Sequence, residues 1–97
     1  MIILNFTDIA SAAGFTPGPD GKLNLPATQD TANALGAAAV GLLPAWTPGD
    51  APIDATISGP GPVWGYLTIA HSLHGRVRTL VYAAPNAPAI IVFSHGG

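Results

Sequence analysis

Apolar residues fall along this chain in short runs, and clusters of glycine and proline separate one run from the next. Met1–Phe6 is such a run, bounded by Thr7 and Asp8. Its length and lack of alternation predict a strand buried on both faces, the pattern of a parallel sheet. Ser11–Ala27 follows, carrying Gly14, Pro17, Gly18, Pro19, Gly21 and Pro26, which predicts a turn-rich loop or a loose hairpin around Leu23 and Leu25. Thr28 or Asp30 can cap a helix over Gln29–Leu43, with Gly36 and Gly41 each weakening it by about 1 kcal/mol relative to alanine. Pro44, Trp46, Pro48, Gly49, Asp50 and Pro52 mark an irregular connection.

The second half is more sharply punctuated. Ile53–Ser58 has the length and branched residues of a strand, and Gly59-Pro60-Gly61-Pro62 makes a tight turn. Pro62 suits the first position of a helix running to His74, where Gly75 stops it. Val77–Tyr82 and Ala89–Phe93 read as two further strands, joined by a loop with Pro85, Asn86 and Pro88. Strand, helix, strand, helix, strand, strand in one domain spanning residues 1–97 is an α/β order, in two or three layers.

Composition narrows the function classes. Charged residues are 8% of the chain, where a typical domain has about 25%. The 48% apolar share excludes disorder from poor hydrophobicity. No cysteine is present, which removes disulfides, thiolate metal sites and thiol nucleophiles together. A net charge of -2 argues against a non-specific DNA or RNA binder. No basic segment precedes Ile2–Leu4, and Pro44 ends the apolar Ala34–Leu43 stretch far short of the ~20 residues of a membrane span. These features predict a cytoplasmic domain with no membrane segment. A surface so poor in charge also predicts a homo-oligomer, with part of the surface covered by another subunit.

Candidate chemistry centres on Ile57-Ser58-Gly59-Pro60-Gly61-Pro62-Val63-Trp64, where a strand feeds a glycine turn and then a helix. A helix start offers unpaired amides and a positive dipole end, so this turn either holds an anion or is simply a stiff corner. His71 falls on the same helix face as Trp64, with His74 beyond it and His95 after the last strand. Each histidine is a hydrogen-bond donor to an anion or an ordinary surface or partly buried side chain. Arg76 and Arg78 suit phosphate contact or helix-end charge pairing, and Trp64 and Tyr66 suit base stacking or core packing.

The stretch Ile57-Ser-Gly-Pro-Gly-Pro-Val-Trp64, then Ala70-His71, Val81-Tyr82 and Ile90-Ile-Val-Phe-Ser94-His95, resembles the small CARF-like ring-nuclease family. That family sits among the Csx accessory proteins of type III CRISPR antiviral defence. Ile3-Leu4-Asn5-Phe6-Thr7 is similar to the opening of a second, shorter Csx group that binds the same class of messenger. The resemblance implies a Rossmann-related CARF-like sheet with flanking helices, paired as a homodimer. It also implies a ligand, cyclic tetra-adenylate, sandwiched between dimers and able to propagate a filament. Family nucleases use manganese, a helix histidine, the Asp and Arg of a Tyr-Asp-Pro-Arg segment, and the histidine of a terminal Ser-His.

By that resemblance the helix histidine falls on His71, the tyrosine on Tyr82, and the terminal pair on Ser94 and His95. The Asp position is Ala83, and Ala84-Pro85 replace Pro-Arg. Alanine neither ligates a metal nor moves a proton, and the lost arginine is a charge clamp of the kind phosphoryl chemistry relies on. The expectation is therefore a non-catalytic nucleotide-binding protein without cofactor or metal. It acts as a sponge that sequesters cyclic tetra-adenylate and damps downstream effectors, with a slow ring nuclease as the alternative. Asn5, Phe6, Ser58, Gly59, Gly61, His71, Tyr82, Ser94 and His95 are the expected ligand-binding residues.

Overall fold

The computed structural model describes residues 2–21, 23–45 and 49–94. Its elements, in chain order, are β1 (Ile2–Asn5), α1 (Phe6–Ala12), α2 (Gln29–Gly41), β2 (Asp54–Ser58), α3 (Val63–Leu73), β3 (Thr79–Tyr82) and β4 (Ile90–Ser94). The strands form one mixed sheet in sequence order, β1-β2-β3-β4. β1, β2 and β3 are parallel, and β4 returns antiparallel to β3. This is an α/β domain, as the order of elements predicts.

α1 packs on α2 and α2 on α3, forming one helical layer over one face of the sheet. Leu4, Ala55, Ile57 and Leu80 point into that layer and are buried with Phe6, Ile9, Leu35, Ile69 and Leu73. Strand side chains alternate between faces, and the other face is open: Ile3 is 74% exposed and aligns with Thr56, Val81 and Ile91 across the sheet. β1 is thus covered on one face rather than two. The apolar run at the start of the chain reflects a strand passing directly into a helix, with Phe6 already belonging to α1.

That short helix departs from the sequence expectation. Asn5 caps it by accepting from the Thr7 amide at 2.9 Å, and Phe6, Ile9, Ala10 and Ala13 fall at helical spacing on its inner face. Thr28 caps α2 as predicted, its hydroxyl accepting from the Thr31 amide at 3.2 Å. A Cβ on Gly36 would lie 2.2 Å from the Ser72 hydroxyl, so glycine there allows α2 to approach α3 closely. That need outweighs the helix propensity glycine loses. Pro62 is the N-cap of α3 rather than its first helical residue. The loop before α2 forms no hairpin among its described residues; Phe15, Leu23 and Leu25 anchor it to the core instead. Among the described residues, no helix is long and apolar enough to cross a membrane.

Candidate functional site

Parallel pairing brings the carboxyl ends of β1, β2 and β3 to one edge of the sheet. Asn5 lies beside Ser58, Ile57 beside Tyr82, and the Ala83 amide continues the ladder to the Ile57 carbonyl at 3.0 Å. In open α/β sheets ligands bind outside the carboxyl ends of the strands where strand order reverses; the described sheet has the right edge without such a reversal. Here it carries the Gly59–Pro62 turn, whose geometry is set from beneath.

Phe6, Tyr66 and Tyr82 form an aromatic row under the turn, with centroids 5.0 Å apart in the first pair and 5.2 Å in the second. The Tyr66 hydroxyl donates to the Gly59 carbonyl, tying α3 to the turn. Burial, reinforced by neighbouring Tyr82, pushes the Tyr66 hydroxyl up to about 12, so it holds its proton across the neutral range. A Cβ on Gly61 would sit 2.6 Å from the Phe6 ring, and one on Gly65 would sit 2.7 Å from it. Gly59 has φ +99° and rests on Asn5, whose Oδ1 would be 2.9 Å from an added Cβ. A side chain at Gly59 is disfavoured both by conformation and by space.

Above the turn lies a cleft of about 720 Å³ between the Gly59–Pro62 corner and the loop that precedes α2. Pro17, Leu23, Leu25, Pro60 and Pro62 give it apolar walls, while Thr7 and Asn24 supply side-chain hydrogen-bonding groups. The amides of Gly65 and Tyr66 are bonded to the Pro62 carbonyl at 3.0 and 3.2 Å. Those of Val63 and Trp64 belong to the first helical turn, which has no intrahelical acceptors. Their dipoles favour a negative group.

The structure divides the expected ligand-binding residues between the two ends of the sheet. Asn5, Phe6, Ser58, Gly59, Gly61 and Tyr82 collect at the carboxyl edge. Of these, Gly61 lines the cleft. Phe6 is fully buried beneath it rather than exposed to a ligand, because the turn and α3 both close over its ring. Asn5 spends its carbonyl oxygen on the α1 cap. Ser58 alternates with buried Ile57 and so faces the open side of the sheet. Tyr82 meets Tyr66 edge-to-face and does not line the cleft.

His71 and Ser94 lie towards the opposite end. His71 is exposed on the last turn of α3, eight residues and roughly 12 Å of helix beyond Val63. Ser94 pairs with Thr79, at the start of β3, and their hydroxyls are 3.1 Å apart. His95 lies outside the described residues. Arg78 belongs to the same end and grips Asp54 with two hydrogen bonds, at 3.0 and 2.6 Å. Those bonds hold the Asp54 carboxyl below its ordinary range.

Thr7, Asn24 and the Leu23 and Leu25 wall were not among the expected site residues. The signal available for the wall was the pair of leucines in a turn-rich segment, which anchors the loop to the core. Comparison of the chain with protein-family models, with curated proteins and with solved structures finds no match in any of the three.

Proposed function

We propose that this protein binds cyclic tetra-adenylate and sequesters it, acting as a sponge that lowers the free messenger of a type III CRISPR response. One observation carries the reading furthest: the cleft at the carboxyl edge, roofed by the loop before α2 and floored by the glycine turn that opens α3. The first-turn amides of α3, which follow Pro62 at the edge of the cleft, suit phosphate, its proline and leucine walls suit adenine faces, and Thr7 and Asn24 suit base edges or ribose hydroxyls. The resemblance of the Ile57–Trp64 stretch to the CARF-like family supplies the ligand class. Methyl groups at Ala83 and Ala84, beside this edge, favour retention of the ring over its cleavage. Two subunits share the ring in this reading, and further dimers stack upon it.

Labelled cyclic tetra-adenylate mixed with excess protein, with and without manganese, tests the proposal. Retention of intact ring, weakened by Asn24→Ala and by Thr7→Ala, is the expected result. Linear product that appears with manganese would replace the sponge by a nuclease. No retention under either condition would remove the messenger altogether.

A further inference from the structure

We propose that the groove between α3 and β4 is a self-association surface, in which the α3 ridge of one copy seats in the groove of a second. This deepens the paired-subunit part of the reading above and rests on that part alone, since its test requires no messenger. The groove holds about 300 Å³ and is lined chiefly by carbon, from Ile57 and Leu80 at its floor to Leu67 and Val92 at its rim. No charged residue is among its described lining residues, so two copies meet there without like-charge repulsion.

The exposed side chains are concentrated on this flank. Val63, Leu67, Ile90 and Val92 are 76%, 66%, 57% and 46% exposed. Together they present on the order of 400 Å² of aliphatic surface per protomer, by the usual area of a branched side chain. A twofold pair removes on the order of 800 Å² from these residues alone. Half-buried Tyr82 and Ala70, with the flanking backbone, bring the total towards the ~1,200 Å² at which specific dimers begin.

One flank supplies both halves of the proposed contact. Val63 and Leu67, four residues apart, form a ridge on one face of α3 beside a hollow over β4. A twofold axis makes each ridge fill the other hollow, the arrangement of an isologous interface. Strand-to-strand continuation through the β4 edge is the less suitable geometry. Leu80 pairs with Phe93 and Val81 with Ile91, leaving Val92 as an extra residue that bulges the strand. A bulged edge interrupts a regular ladder.

Sedimentation equilibrium of the full chain from ~1 µM to ~500 µM tests this, a range that spans weak to moderate dimers. A reversible dimer is expected, with Leu67→Glu raising its dissociation constant by at least about tenfold and Ile91→Glu, on the open face of the sheet, leaving it unchanged. Because the chain has no cysteine, mixing Leu67→Cys with Val92→Cys protein under oxidation gives a further readout. The mixed disulfide is expected to exceed each homodimeric one by clearly more than the twofold that random pairing gives. A monomer at every concentration, or a dimer split by Ile91→Glu and indifferent to Leu67→Glu, would overturn the proposal.

Discussion

At the carboxyl edge of the sheet, atoms are packed so closely that one added methyl at Gly61 or Gly65 would overlap the Phe6 ring. On the flank formed by α3 and β4, four large aliphatic side chains stand between 46% and 76% exposed around an open groove. Both regions draw on α3, one on its inner face, the other on its outer face. The difference separates two uses of apolar surface. Around Phe6 it fixes a backbone shape, the turn on which the cleft depends. Around Leu67 it is left available for a contact that the single chain does not complete.

The contrast breaks most readily at Phe6. Phe6→Ala should cost about 3–5 kcal/mol, because the ring is fully buried beneath the turn. Leu67→Ala should stay within about 0.5 kcal/mol in the monomer. Urea denaturation at low protein concentration measures both, and equal losses would erase the distinction between the regions. Gly65→Ala comes next, at about 1–3 kcal/mol from overpacking. Combined with Phe6→Leu it should cost less than the sum of the two changes, since the smaller side chain vacates the space the new methyl needs.

Asn5→Ala should lose about 1 kcal/mol through the cap of α1, and Asn5→Asp should restore most of it by accepting the same Thr7 amide bond. A further effect concerns pH. Tyr66 titrates higher in the folded protein, about 12, than its ordinary 10.0. The folded state therefore binds its proton more tightly than the unfolded chain does. That stabilisation is complete below pH about 10 and is lost as pH rises towards about 12. Denaturation midpoints across this window should fall less steeply in Tyr66→Phe than in the parent protein. Parallel curves would show that the hydroxyl is not set apart by its surroundings.

Much of the fold was legible because its signals are local. Gly59-Pro60-Gly61-Pro62 marks a corner wherever it occurs, and Thr28 caps α2 through a contact three residues long. α1 was obscured although Phe6, Ile9, Ala10 and Ala13 carry helical spacing, because the preceding Ile2–Leu4 run continues into Phe6 and extends the strand pattern. The candidate site was legible in part. The glycine turn stands where expected, at the strand ends. Ser94 does not join it, since the short connection 83–89 allows only an antiparallel return, which carries the end of β4 to the far edge.

The order of residues alone determined the element types other than α1, the corner before α3 and the low charge of the surface, since these follow from backbone preferences and composition. Tertiary structure decided that the leucines of the loop before α2 close over that corner, that Phe6 lies beneath it, and that His71 and Ser94 fall towards the other end. It also decided which face of α3 is left without cover. Such outcomes depend on strand direction and on which helix faces meet, and these are set by contacts between residues far apart in the chain.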